Sequence, residues 1–189
     1  MIRIAVSRRQ NFSNDAAFRA WLSSIFSTAD GLYLREKDWD DATYALQARR
    51  LLQQIPEGKK PLLILPFRPA FVALADYAWV FQIGGAPENI TRARQFVSDR
   101  YRLLYSAHAL AEAQAAASLG ADFIFLSPIF ATPSKPQGKP LGLDTLRQAV
   151  ESIATPIIAL GGITPENQAG IGATAAFGLA GIRMFQVNA

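Results

Sequence analysis

The sequence contains no cysteine, and its single histidine is His108. Without thiols the protein has no disulfide, no thiolate metal site and no cysteine nucleophile, and this composition fits a reducing compartment. No apolar run approaches the ~18 residues that would cross a bilayer, and Met1–Val6 is too short and too mixed for a signal peptide. We therefore expect a cytoplasmic protein that has no membrane partner.

Charge is also scarce, since only 18% of the residues are charged, the net charge is +4 and 50% of the residues are hydrophobic. This balance argues against a disordered chain and predicts a sizeable core, and the length favours one domain over residues 1–189. The lysines and arginines are scattered along the chain, so nucleic-acid binding is not expected. A pocket that holds a phosphorylated small molecule with a few positive charges is compatible with the same composition.

Eight short apolar runs, rich in Ile, Val, Leu and Phe, predict eight strands. Their nearly continuous hydrophobicity is typical of strands that are buried on both faces. The predicted strands are Arg3–Val6, Gly31–Arg35, Pro61–Leu65, Trp79–Ile83, Leu103–Ser106, Phe123–Ser127, Pro156–Leu160 and Gly181–Phe185. Segments of helical period separate them, at Asp15–Thr28, Asp41–Ile55, Ala70–Ala75, Ile90–Val97, Leu110–Leu119, Leu143–Ile153 and Asn167–Ala176. Gly120 and Gly178 are predicted to end helices.

Alternation of strands and helices over eight units predicts an α/β protein with a closed parallel sheet, the (β/α)8 TIM barrel. We expect a compact barrel that lacks the last helix, because no helical pattern follows the eighth run. The flank that this helix would cover needs another element, a partner subunit or solvent, and we expect a homodimer. An open doubly wound sheet is the alternative fold. It is disfavoured because Ser7-Arg8-Arg9-Gln10, and no glycine-rich fingerprint, follows the first strand.

In such barrels the functional side chains follow the carboxyl ends of the strands. After the second strand, Arg35-Glu36-Lys37-Asp38 offers two cations that could clamp a diphosphate, although a solvated charged loop has the same composition. After the fifth strand comes His108, which carries the only imidazole of the chain. It is a candidate general acid or base, or a histidine at a helix start that has no catalytic role.

Two further segments indicate phosphate binding. The loop after the sixth strand, Ser127–Leu141, carries hydroxyl groups, several prolines and two lysines, Lys135 and Lys139, that could reach an anion. After the seventh strand, the N–H groups of Gly161 and Gly162 could form a phosphate nest near a helix N-terminus. The structural alternatives are a proline-stiffened surface loop and a tight strand–helix turn.

Signals for a metal site or an activated nucleophile are weak. No histidine–carboxylate pair has metal-ligand spacing, and no serine elbow motif is present. The one dense group of carboxylates, Asp38, Asp40 and Asp41, is better explained by solvation and helix capping.

Several segments occur in a specific order and spacing. They are Ser106-Ala107-His108, Leu110-Ala111-Glu112-Ala113, Gly120-Ala121-Asp122, Ser127-Pro128-Ile129-Phe130, Thr132-Pro133-Ser134-Lys135, Pro140-Leu141-Gly142-Leu143 and Pro156–Asn167. In these segments the chain resembles the thiamine phosphate synthase and thiazole tautomerase family. Leu34-Arg35-Glu36-Lys37-Asp38 extends the resemblance to the second strand, whereas the first, third and fourth strands match weakly.

The resemblance implies an enzyme of thiamine biosynthesis, which joins hydroxymethylpyrimidine diphosphate to thiazole phosphate and releases diphosphate, with Mg2+ on the diphosphate. Departure of the diphosphate leaves a pyrimidine cation that the thiazole nitrogen captures. In this pattern Arg35 and Lys37 hold the diphosphate, and Lys135 assists its departure. The remaining substrate contacts of the family fall on Ser127, Thr132, Ser134, Gly161 and Gly162. Among these, Gly162 holds the thiazole phosphate.

The chain departs from the family pattern around strands two to four. Tyr33 stands in place of a glutamine, and Leu65-Pro66-Phe67 replaces an Asn-Asp pair. The carboxylate expected after the fourth strand is missing from Gly84-Gly85-Ala86-Pro87. Because these carboxylates are the magnesium ligands of the synthase pattern, only Glu88 and Asp38 remain as candidate ligands.

A further departure lies near the end of the predicted eighth strand. There Arg183-Met184-Phe185 displaces a serine that contacts phosphate in the family pattern. Arg183 could bind phosphate itself, as a charged bidentate donor, or it could close the barrel mouth.

Three functions remain open. A divergent synthase that uses Mg2+ is favoured by the loop after the sixth strand and by Arg35 with Lys37. A thiazole phosphate tautomerase that needs no metal is favoured by the missing carboxylates and by His108, which matches the acid/base of those relatives. The lost metal site and Tyr33 favour a non-catalytic binder of thiamine-pathway phosphates. The synthase leads, because its sixth-strand loop is the more closely matched element.

Overall fold

Strands and helices alternate along the chain as the sequence predicts. The structure, a computed structural model, describes residues 1–53, 61–69, 71, 80–134 and 136–186. Its strands are β1 (Ile2–Val6), β2 (Gly31–Tyr33), β3 (Leu62–Pro66), β4 (Val80–Ile83), β5 (Arg102–Ala107), β6 (Phe123–Leu126), β7 (Ile157–Leu160) and β8 (Gly178–Gly181). Each strand is parallel to the next and β8 pairs with β1, so the sheet closes into a barrel. The predicted TIM barrel is confirmed.

The helices of the described segments are α1 (Asp15–Ser24), α2 (Asp41–Gln53), α3 (Asn89–Arg94), α4 (Leu110–Ser118), α5 (Gly142–Ser152) and α6 (Gln168–Gly172). Side chains fix two of their starts. The Asn14 side chain accepts a hydrogen bond from the Ala17 N–H at 2.9 Å, and Asp40 accepts one from the Thr43 N–H at 2.7 Å. The predicted helix at Ala70–Ala75 lies outside the described residues, apart from Phe71. None of the helices within the described ranges is long and apolar enough to cross a bilayer.

Two hydrophobic cores follow from the alternation of side chains along the strands. One fills the inside of the barrel, where Ile4, Ile64, Leu104, Phe125 and Ile158 pack against each other from five strands. The other lies between the sheet and the surrounding helices. Because side chains fill the barrel interior, ligands can bind only at its ends.

The eighth strand differs from the prediction. It was expected at Gly181–Phe185, but the strand is Gly178–Gly181, and Arg183–Phe185 forms a 3₁₀ helix. Gly178 was expected to end a helix, but it begins β8. A Cβ atom there would lie 2.6 Å from Ile2 Cγ1 and 2.9 Å from the Ile2 carbonyl oxygen, so close packing against β1 requires glycine. Gly120 does follow a helix, with a φ of 86° that suits the end of α4.

The flank beside β8 is covered in part by the chain itself. Met184 and Phe185 are buried, and the Trp21 indole N–H of α1 donates a hydrogen bond to the Phe185 carbonyl oxygen at 2.6 Å. No α-helix follows β8 within the described residues, which end at Gln186. The first helix and the 3₁₀ helix thus meet beside β8.

At the amino-terminal end of the barrel, Asp122 joins α3, β5 and β6. Its carboxylate accepts hydrogen bonds from Arg94 Nη2 at 2.7 Å, Arg102 Nη1 at 3.1 Å and the Leu103 N–H at 2.8 Å. Contacts at this end of a TIM barrel serve stability, whereas catalysis is found at the opposite end.

Candidate active site

Three polar side chains form a hydrogen-bonded row across the carboxyl-terminal mouth of the barrel. The Tyr33 hydroxyl at the end of β2 donates to Gln82 Oε1 of β4 at 2.7 Å. Gln82 Nε2 in turn donates to Ser106 Oγ of β5 at 3.0 Å. Burial raises the pKa of Tyr33 far above its ordinary range, so the hydroxyl stays neutral and acts as a donor. The row therefore fixes the orientation of the Gln82 amide.

Gln82 was not among the residues predicted from the sequence, although a polar residue inside an apolar strand is a recognisable feature. It is the one polar residue of Val80–Ile83, and its position two residues after Val80 makes it point into the barrel with that side chain. Gln82 also lines a cavity of about 270 Å3 between β4 and α3, together with Phe67, Arg92 and Phe96. Phe67 belongs to the segment where the family pattern places its Asn-Asp pair.

The loop after β2 places its charged residues in different surroundings. Arg35 is half-buried, and it lowers the pKa of the Tyr33 hydroxyl against the larger raising effect of burial. Lys37 is exposed. Glu36 is buried instead, and it accepts hydrogen bonds from Ser7 Oγ at 2.6 Å and from the Arg9 N–H at 3.0 Å. The segment is therefore more than a solvated charged loop.

Asp38 pairs with a cation. Its carboxylate contacts Arg9 Nη2 at 2.5 Å, and this hydrogen bond holds the pKa of Asp38 below its ordinary value. Arg9 Nη1 also contacts Asp15, at 3.3 Å. Arg9 thus links the loop after β1 to the loop after β2 and to the start of α1.

The donor set does not fit a magnesium ion held by the protein. Magnesium requires hard oxygen ligands in near-octahedral geometry. Asp38 is engaged by Arg9, and Glu88 is exposed just before α3. Across the described ranges, no three His, Asp or Glu side chains come together as a metal site would require.

His108 lies directly after β5, beside the end of β6. The backbone N–H of His108 donates a hydrogen bond to Glu112 Oε2 at 2.7 Å, which anchors the residue to the first turn of α4. Its Nδ1 lies 2.9 Å from the Ser127 carbonyl oxygen and 3.2 Å from Ser127 Oγ. In the tautomer that donates Nδ1–H to this carbonyl oxygen, the lone pair of the neutral imidazole is on Nε2. The structure thus brings together two residues that the sequence analysis had selected.

The loop after β6 packs directly on the glycine pair after β7. The Ile129 N–H donates to the Leu160 carbonyl oxygen and the Phe130 N–H to that of Gly161, both at 3.0 Å. Gly162 has a φ of 69°, and a Cβ atom there would lie 2.5 Å from the Ala131 carbonyl oxygen. The glycines are therefore required by the close approach of the protein's own loop.

Two backbone N–H groups of this turn have no acceptor among the described residues. Within the described part of the chain, neither the Gly162 N–H nor the Ile163 N–H donates a hydrogen bond. Asn167 stabilises the turn, because its side chain accepts from the Thr164 N–H and donates to the Gly162 carbonyl oxygen, both at 2.9 Å. Consecutive N–H groups held in this way can bind a phosphate.

The remaining predicted residues have few recorded contacts. The Ser134 N–H donates to Thr132 Oγ1 at 3.4 Å, and Arg183 is exposed in the 3₁₀ helix that follows β8. Lys135 lies outside the described residues, and its neighbours Thr132 and Ser134 belong to the loop that packs on the β7 turn.

A protein-family model described as "Thiamine monophosphate synthase" matches residues 4–185 of the chain. The chain belongs to this family. The family expected from the sequence is confirmed, and the match extends over the weakly resembling first, third and fourth strands. The barrel mouth with Tyr33, Gln82 and the glycine pair is the end at which TIM-barrel enzymes place their active sites.

Relatives agree with this membership, and a solved structure shares the fold. A protein of Aquifex aeolicus named "Putative thiamine-phosphate synthase 2" is 38% identical over 153 residues, which cover 80% of each chain. A "Putative thiamine-phosphate synthase" of Geobacter sulfurreducens is 33% identical over 152 residues, covering 80% of this chain and 69% of the relative. The "Thiamine phosphate pyrophosphorylase from Pyrococcus furiosus" has the same fold, with a TM-score of 0.82, 21% identity and coverage of 98% of this chain and 87% of that chain.

Proposed function

We propose that the protein joins hydroxymethylpyrimidine diphosphate to thiazole phosphate, giving thiamine phosphate and diphosphate. The observation that supports the proposal is that two candidate anion-binding segments follow β2 and β7, at the same end of the barrel. One comprises Arg35 and Lys37 after β2, and the other comprises the N–H groups of Gly162 and Ile163 after β7, which donate to no acceptor among the described residues. Two separate anion sites suit a reaction between two phosphorylated substrates. The synthase names of the relatives also favour this function among the three hypotheses.

The reaction requires that negative charge on the leaving group be stabilised. The C–O bond between the pyrimidine methylene carbon and the diphosphate breaks, and its electron pair leaves with the diphosphate. The thiazole nitrogen then donates its lone pair to the methylene carbon. Arg35, Lys37 and Lys135 stabilise the departing diphosphate, because cations fixed where charge develops lower the barrier. Ser127, Thr132 and Ser134 bind the phosphoryl groups, and Arg183 adds a contact from the β8 side.

Magnesium is part of this proposal only as a companion of the substrate. Since the described carboxylates do not fit a protein-held ion, we propose that Mg2+ is bound by the diphosphate itself and that the side-chain cations hold the complex.

The tautomerase is the second candidate, and one observation favours it. His108 Nδ1 lies 2.9 Å from the Ser127 carbonyl oxygen, and in the tautomer that donates to this oxygen the basic lone pair of the neutral ring is on Nε2, as proton transfer on a thiazole phosphate would need. A synthase does not depend on such a transfer.

One assay with both substrates separates the candidates. The synthase predicts thiamine phosphate from the wild type in the presence of Mg2+, with His108→Ala retaining most of this activity. Isomer exchange of the thiazole phosphate alone, abolished in His108→Ala, would instead identify a tautomerase. Neither reaction, combined with calorimetric binding of thiazole phosphate, would identify a non-catalytic binder.

We further propose a cytoplasmic homodimer in which residues 1–189 act as one domain. The dimer was expected from an uncovered flank beside β8. In the structure, α1 and the 3₁₀ helix cover this flank in part. Additional support comes from apolar side chains near α2 and α3. Leu46 is 46% exposed and Phe96 is 54% exposed. No nucleic-acid partner is proposed.

A further inference from the structure

A buried pair of polar side chains joins the loops that follow β1 and β2. Ser7 is 0% exposed and Glu36 is 3% exposed, and the Ser7 hydroxyl donates to Glu36 Oε1 at 2.6 Å. The second carboxylate oxygen accepts from the Arg9 N–H at 3.0 Å. Both oxygens of Glu36 are thus used to hold the loop after β1.

The same pair controls the backbone around Arg35. The Arg35 N–H donates to Ser7 Oγ at 2.8 Å, so the Ser7 hydroxyl accepts from Arg35 and donates to Glu36. On the other side, the Glu36 N–H donates to the Tyr44 hydroxyl at 2.6 Å, and that hydroxyl lies 3.3 Å from the Leu34 carbonyl oxygen. Side chains from two other elements therefore fix the peptide groups on both sides of Arg35.

Packing alone does not explain a carboxylate at this position. A buried carboxylate loses hydration, and here its recorded partners are a hydroxyl and a peptide N–H, since the Arg9 guanidinium contacts Asp38 and Asp15. A carboxylate presents two oxygens that both accept, whereas a glutamine must direct its NH2 group toward Ser7 or Arg9. The arrangement therefore favours one specific geometry of the loop.

We propose that Ser7 and Glu36 are positioning residues, which hold the Arg35 backbone so that the guanidinium can bind the diphosphate of the substrate. Arg35 follows β2 at the carboxyl-terminal end of the barrel, while the Glu36 side chain is hydrogen-bonded to the loop after β1. Neither Ser7 nor Glu36 touches the substrate. This inference rests on the proposed function, because it assigns a purpose to the diphosphate side of the same site.

The test compares Glu36→Gln and Ser7→Ala with Asp40→Ala. Asp40 caps α2 in the same region, but it is outside the Ser7–Glu36 pair, so its loss tests stability alone. The readouts are calorimetric affinity for inorganic diphosphate with Mg2+, the KM values of both substrates, and the melting temperature. Glu36→Gln keeps the shape of the side chain, so the test remains available if Ser7→Ala does not fold.

We expect Glu36→Gln to weaken diphosphate affinity and to raise the KM for the pyrimidine diphosphate by about tenfold, as loss of a hydrogen bond to a charged group would. The KM for thiazole phosphate should not change, and Asp40→Ala should lower the melting temperature without changing either KM. Equal changes in both KM values, or none in Glu36→Gln, would overturn the positioning role while leaving the synthase intact. Failure of the wild type to bind diphosphate and to form thiamine phosphate would overturn the proposed function as well.

Discussion

At the scale of single residues, Gly162 shows how local geometry limits substitution. Its φ is positive, and a Cβ atom added to it would lie only 2.5 Å from the Ala131 carbonyl oxygen, so there is no room for a side chain. We expect Gly162→Ala to lower the free energy of unfolding by at least about 2 kcal/mol, because the left-handed conformation and the clash both disfavour alanine. Urea denaturation measures this loss.

Gly172→Ala is the matched control for that substitution. Gly172 ends α6, and nothing lies within 4 Å of the Cβ that alanine would add. The change in unfolding free energy should stay within about 0.5 kcal/mol. Equal losses in the two variants would show that the β6 loop does not pack on the glycine pair as described.

Tyr33 is the second residue with a defined contact to test. Tyr33→Phe keeps the ring but removes the hydroxyl that donates to Gln82 Oε1. We expect a loss of about 1 kcal/mol in unfolding free energy, since the amide oxygen is left without its donor. The Gln82 amide also loses its fixed orientation, so the KM for the pyrimidine diphosphate should rise. Unchanged stability together with unchanged KM would contradict the hydrogen-bonded row.

At the scale of secondary-structure elements, the two ends of the barrel have separate roles. Asp122 joins α3, β5 and β6 at the amino-terminal end, through three hydrogen bonds. Asp122→Ala should lower the unfolding free energy by about 1–3 kcal/mol, because three donors lose their acceptor. Both KM values should be unchanged, and a substrate-selective KM change would argue against this separation of roles.

Element positions could be predicted for seven strands, because each is a run of large apolar side chains. The eighth strand begins at Gly178, three residues before the predicted start at Gly181. Three of the four residues of Gly178–Gly181 are glycine or alanine, and Gly178 allows close contact with β1, whereas Ile182–Phe185 has more large side chains. Close packing against β1 requires glycine at Gly178, so this strand lacks part of the apolar pattern from which strands are predicted.

At the scale of the whole molecule, the candidate site could be predicted only in part. The glycine pair and the loop after β6 are recognisable, since each is a contiguous segment. The row from Tyr33 to Gln82 joins residues 49 positions apart, and the pair of Ser7 with Glu36 spans 29 positions. Such contacts depend on barrel closure, which brings β1, β2 and β4 to one mouth, and no local pattern reports them.

The proposed homodimer also concerns the whole molecule. Light scattering of the purified protein at micromolar concentration should give twice the 20.6 kDa mass of the chain. Phe96→Ser removes the most exposed aromatic side chain near α3, and it should weaken association if that face is the interface. A monomer mass for the wild type would refute the dimer.

The central claim is that this barrel mouth joins two phosphorylated substrates. The most direct measurement is the steady-state formation of thiamine phosphate and diphosphate by the wild type and by Arg35→Ala, with Mg2+ present. The wild type should form the two products in equal amounts. Arg35→Ala should lower kcat/KM by about a hundredfold or more, because it removes a cation at the leaving group. No thiamine phosphate from the wild type, or an unimpaired Arg35→Ala, would contradict the account.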